Sequence, residues 1–97
     1  MTVTVARGFI ERTRGLAWRK SIPPGEALQI NCCRSVHTFG MRFPLDLLWL
    51  DKQGRAIRVD YDVPPRCLRS CSQAHSVVEV TAGEGSDILE SGYTAAR

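Results

Sequence analysis

The stretch Phe43–Asp51, FPLDLLWLD, decides how this chain is read. Its apolar residues run almost without a break from Leu45 to Leu50, which is the pattern of a β-strand covered on both faces rather than one. Because successive side chains of a strand point to opposite sides, Leu45, Leu47 and Trp49 share one face, and Asp46, Leu48 and Leu50 share the other. A carboxylate is thereby placed against core. An unpartnered carboxylate there would be driven to neutralise, so the sequence demands donors for Asp46. The candidates are His37, Arg42, Arg14 and the backbone amides of the HTFGM segment, where Gly40 lets the chain double back.

Downstream, DKQG at 51–54 is a turn and RAIRVDY at 55–61 resumes alternation, with Ile57, Val59 and Tyr61 on one side and Ala56, Arg58 and Asp60 on the other. The two strands form a hairpin whose second member is solvated on one side. DVPPR ends it, because Pro offers no backbone donor. SVVEV near the C-terminus is a further strand, TAGEGS a turn, and DILES one or two helical turns. Upstream, TVTV at 2–5 alternates β-branched residues as a short strand, and ALQIN at 27–31 alternates as a half-buried one. Between them RGFIERTRGLAWR places Phe9, Arg12 and Leu16 at helical spacing, and SIPPG stops that helix. Strands outnumber helices. The expected fold is α+β and mainly antiparallel, a small barrel-like or rolled sheet with one N-terminal helix.

Ninety-seven residues make one domain, 1–97, and the balance of 43% hydrophobic to 24% charged residues is that of an ordinary globular protein. No apolar run approaches the roughly 20 residues of a membrane span. The N-terminus MTVTVARGF lacks the basic and apolar regions of a secretory signal, which implies a cytoplasmic location and reduced thiols for Cys32, Cys33, Cys67 and Cys71. Cys67, Cys71 and His75 would line one face if the segment were helical, a possible zinc triplet. Flanking prolines and serines suit a loop better, so no metal and no cofactor is expected. The net charge of +3 is concentrated in Arg12, Arg14, Arg19 and Lys20, a segment that reads as a solvated helix face. With no aromatic platform beside it, nucleic acid is an unlikely partner.

Asp46 and His37 admit two readings. Either Asp46 accepts hydrogen bonds that pin a loop, or the two form an oriented base at the rim of a pocket and are candidate catalytic residues. Thr38, Ser35 and Cys33 are near in sequence, and none sits in a nucleophile signature.

RTRGLAWR near the start, CRSVHTFGMRFPLDLLWLDKQGR in the middle and VVEVTAG near the end together resemble the DUF192 family of uncharacterised domains. The likeness spans about Val3 to Gly92, with Arg14-Gly15-Leu16, Pro44-Leu45-Asp46 and Ala82-Gly83 matching residue by residue. One departure is VHTFGM at 36–41, where the commoner form has an aromatic FWMKNT segment. The resemblance implies a compact β-rich fold and supplies no activity. It adds weight to a cleft where Arg14, His37, Met41 and Asp46 converge. The expected function is binding of a small molecule or an extended peptide there. The alternatives are a hydrolase or lyase using His37 and Asp46, and an anionic-partner module using the Arg12–Lys20 segment.

Overall fold

The computed structural model describes residues 2–5, 26–38 and 43–90. Seven strands and one helix follow in order: β1 (Thr2–Val5), β2 (Glu26–Asn31), β3 (Ser35–His37), β4 (Leu45–Leu50), β5 (Ala56–Val63), β6 (Leu68–Ser70), β7 (Ser76–Thr81) and α1 (Gly85–Glu90). Five strands make one sheet in the order β1-β2-β7-β4-β5, and β3 and β6 make a separate two-stranded ribbon. All described pairings are antiparallel except β1 with β2. Such a parallel pair needs a long crossover rather than a tight turn, and residues 6–25 separate the two strands.

FPLDLLWLD builds the centre as its pattern dictates. Every residue of β4 is buried, because β4 lies between β5 and β7 and both faces of the sheet are covered. On one face Leu45, Leu47 and Trp49 pack with Leu28, Ile30, Val63 and Val77 against Val36, Cys71 and Ala74 from the ribbon side. On the other, Leu48 and Leu50 pack with Ala27, Val78, Val80 and Ile88 of α1. Burial of each leucine contributes about 1.5–3 kcal/mol, so this one strand supplies a large part of the core.

Three expectations change, and a fourth falls outside the described residues. The large sheet is not a barrel: among the described residues it is open, with β1 and β5 as its two edges. The helix expected near the N-terminus falls outside the described residues, and among the described residues the helix follows β7. Strand β2 is covered on both faces instead of one, since Ala27 and Gln29 are as buried as Leu28 and Ile30. In the opposite direction, β5 is more exposed than its alternation suggested, because an edge strand lacks a neighbour: Ile57 and Tyr61 stand 43% and 51% exposed, and only Val59 of that set packs on the core.

The hairpin between β4 and β5 forms as read. Gly54 takes a φ of 81°, a conformation that costs other residues roughly 1–2 kcal/mol. Asp51 closes the turn, its Oδ1 accepting from the amides of Gln53 and Arg55, each at 2.9 Å.

A carboxylate brace and the ribbon beside it

Asp46 is 1% exposed, and both carboxylate oxygens are occupied by backbone. Oδ1 accepts from the amide of Asp62 at 2.9 Å, and Oδ2 accepts from the amides of Gly83 and Gly85, each at 2.9 Å. Each of these bonds closes a distinct feature. Opposite Asp46 the β4–β5 register slips, with Leu45 facing Val63 but Leu47 facing Asp60, so β5 carries one extra residue there. The bulge turns Asp62 to a φ of 50°, and the carboxylate receives the amide that this leaves off the ladder. At its other end the carboxylate holds the turn after β7 and the first residue of α1. Gly83 has a φ of 100°, and a Cβ on Gly85 would lie 2.8 Å from Asp46 Oδ2, so glycine alone lets the backbone approach. The amide of Ala82 completes the join by donating to the carbonyl of Pro44 at 3.2 Å.

The Pro44-Leu45-Asp46 and Ala82-Gly83 motifs are therefore two halves of one brace. Among the described residues the partners of Asp46 are these three amides and not the imidazole of His37, which corresponds to the loop-pinning reading of Asp46 rather than to the oriented base. These amides come from β5 and from the β7–α1 turn, segments distant in sequence and adjacent only in the folded sheet; residues 39–41 of the HTFGM segment lie outside the described residues.

His37 lies on β3 and is exposed, directly across the ribbon from Leu68, which at 64% is the most exposed large hydrophobic among the described residues. Ser35 and Ser70 pair and are exposed at the other end, while Val36 between them turns inward. The end of the ribbon is fixed by Thr38. Its hydroxyl donates to the carbonyl of Pro64 at 2.7 Å and accepts from the amide of Cys67 at 2.8 Å. Its own amide donates to the Cys67 carbonyl at 2.8 Å. A hydroxyl so committed, on a residue 1% exposed, is a pin for the Pro64–Cys67 turn and not a nucleophile.

Ribbon and sheet are tied together by a second polar chain. Trp49, fully buried, donates its indole N–H to Asp60 Oδ2 at 3.0 Å. Asp60 takes a two-pronged contact from Arg58 at 2.9 and 3.2 Å, and Arg58 reaches the carbonyl of Ser70 on β6 at 3.1 Å.

The strands β3 and β6 were missed in the sequence because three residues are too few for periodicity to register. Cys67 and Cys71 flank β6, so the helical face that would align them with His75 is replaced by extended chain. The four cysteines are free thiols, and among the described residues no group of three or more His, Cys, Asp or Glu side chains is placed to hold a metal ion. Glu79, at 3% exposure on β7, is a second buried acid. The signal that singled out Asp46, an acid inside an apolar strand, was present there too in SVVEV. Arg14 and Met41 lie outside the described residues.

An open mixed sheet with a short helix after its last described strand, braced by a buried aspartate between two separated motifs, defines a small α+β domain of recognisable type. The chain belongs to the DUF192 family, described as "Uncharacterized ACR", which it matches over residues 1–89. Two solved structures share the fold. A protein of unknown function from Novosphingobium aromaticivorans DSM 12444 aligns with a TM-score of 0.77 at 16% identity, covering 90% of this chain and 67% of that one. A protein from Sinorhizobium meliloti 1021, provisionally described as a transcription regulator, aligns with a TM-score of 0.77 at 18% identity, covering 95% of this chain and 74% of the other. At these identities the likeness is one of fold alone. No curated protein matches the chain. None of the described helices is long and apolar enough to cross a membrane.

Proposed function

We propose that this DUF192 domain is a non-enzymatic binding module, taking a small molecule or an extended peptide on the face around His37, with Arg14 and Met41 as flanking contacts. The observation that carries the reading is the division of labour between the expected site residues. Asp46 is sealed into the brace and contributes position rather than contact, whereas His37 is exposed beside the apolar side chain of Leu68. An imidazole next to an exposed aliphatic group offers a ligand both a hydrogen bond and a dry surface, the mixture that binding sites generally present.

The hydrolase or lyase alternative is weakened at two places: the base has lost Asp46 as its orienting partner, and the nearby Thr38 hydroxyl is committed to backbone. The alternative through Arg12, Arg14, Arg19 and Lys20 rests on sequence alone, and the provisional description of the Sinorhizobium protein lends it no residues. A thermal-shift screen with a metabolite and peptide library tests the leading reading, since a ligand of the native state raises the melting temperature. The expected outcome is at least one stabilising compound whose effect is lost in His37→Ala, a variant that itself melts like the wild type. Turnover of a substrate that depends on His37 would replace this reading with the enzymatic one.

A further inference from the structure

Strand β5 is an outer strand of the large sheet, and among the described residues no strand pairs with its free side. Its register against β4 slips near Ile57 and again near Tyr61 and Asp62. Between the slips Trp49 faces Arg58, Leu48 faces Val59 and Leu47 faces Asp60, so residues 58–60 are the regular stretch of this edge. Alternation sends Arg58 and Asp60 to the side of Trp49 and the ribbon, where Arg58 reaches the Ser70 carbonyl. It sends Val59 to the other side, against the cluster that contains Ile88. Ile57 and Tyr61, two of the four exposed large hydrophobics among the described residues, flank the stretch. An edge of this kind is a surface that a second strand can cover.

The order of charge says which strand that is. Arg58, Val59 and Asp60 carry opposite charges at equal distances on either side of Val59. When a second copy of β5 runs antiparallel with Val59 facing Val59, Arg58 of each copy lies opposite Asp60 of the other on the same face of the sheet, and Ile57 comes level with Tyr61. Centring the pair on residue 58 instead sets Arg58 against Arg58, and centring it on residue 60 sets Asp60 against Asp60. Parallel pairing in register does both, and like charges directly opposite destabilise a strand pair. Arg58 has donors to spare: its side chain is exposed, and each terminal nitrogen gives one hydrogen to Asp60 or to the Ser70 carbonyl and keeps another. We infer that the protein associates with a second copy of itself through β5, in an antiparallel two-fold joint centred on Val59. The bulges favour a copy over other chains, because an identical strand is bent at the same places and a straight one is not. Such a joint closes at two copies, since each contributes the same strand to it.

The test is sedimentation velocity of the full chain over about a hundredfold range of concentration, because mass action sets the fraction paired, with NMR spectra recorded across the same dilution. The expected result is a shift from one copy to two that goes no further, with concentration-dependent movement centred on the amides of residues 57–61. In a mixture of isotope-labelled and unlabelled protein, contacts between copies should join Val59 to Val59 and Arg58 to Asp60. Ile57→Lys combined with Tyr61→Lys alters two exposed positions and charges both ends of the joint, and it should weaken self-association by about tenfold or more. Should that variant fail to fold, the dilution spectra of the wild type decide alone. A single copy at every concentration overturns the inference. So does pairing whose moving amides lie outside β5, or assembly that grows past two copies. None of these outcomes bears on the ligand reading, whose screen concerns the face around His37.

Discussion

At the residue scale, Asp46 shows how one side chain can tie together segments that are far apart in the chain. Three backbone donors converge on it, and truncation would strand all three in a buried site, at about 1–3 kcal/mol for each donor left unsatisfied. Asp46→Ala should therefore cost on the order of 3–5 kcal/mol by urea denaturation, a large fraction of the total of about 5–15 kcal/mol that a small domain possesses. Gly85→Ala should destabilise although alanine is the better helix former, because its Cβ would meet the Asp46 carboxylate at 2.8 Å. In an Asp46→Ala background the same change should cost less, and a double-mutant cycle reads that coupling directly. If the two changes were additive, the close approach would carry no energy. His37 illustrates the opposite case, a polar residue placed on the surface by a strand whose inward neighbour, Val36, holds the ribbon to the core.

At the element scale, the interest lies in how short strands are kept in place. Neither β3 nor β6 has enough residues to be stable as an isolated pair, and both depend on Thr38 at one end and on the Trp49–Asp60–Arg58 chain at their flank. Trp49→Phe removes the indole donor while keeping an aromatic ring in the core. The expected outcome is a loss of about 1–3 kcal/mol, accompanied by faster amide exchange in β5 and β6 and little change in β2. Thr38→Val, which keeps the shape and deletes the hydroxyl, should raise exchange at Cys67 and leave the distant β1–β2 pair unaffected. Exchange that rose evenly over the sheet would mean that the ribbon is not an independently held unit. The bulges of β5 belong to this scale as well, since they bend an edge strand that would otherwise present a straight template for pairing with other chains.

For the whole molecule, the order of strands in space departs widely from their order in sequence. The centre of the sheet joins β4 to β7, with Asp46 facing Val80 and Leu50 facing Ser76, and β2 pairs with the other side of β7. Native pairing must therefore wait on the closure of long loops, which places such topologies among the slow two-state folders. Stopped-flow refolding monitored by the fluorescence of Trp49 in a Trp18→Phe background should give a main phase in the millisecond-to-second range. A microsecond phase carrying the full amplitude would contradict this topology. Because β7 is needed by both neighbours, a change there such as Val78→Ala should slow folding more than one of equal cost on the exposed β5.

FPLDLLWLD declared a strand buried on both faces because six apolar-rich residues with one acid have no other soluble arrangement, and DKQG declared the hairpin because only glycine takes its left-handed backbone without cost. The same alternation divided β4 correctly between its two clusters, and it required that Asp46 have donors. Local pattern extended no further. It overstated the burial of β5 and understated that of β2, because whether a strand is central or at an edge is a property of the sheet and not of the strand. It left β3 and β6 invisible, since three residues hold less than two periods of alternation. What the sequence determined by itself was which residues must be buried and where the chain must turn, both set by solvation and backbone sterics over a few residues. Only the tertiary structure decided who answers Asp46, because its three amides come from segments brought together by strand pairing, a cooperative choice that no local stretch encodes.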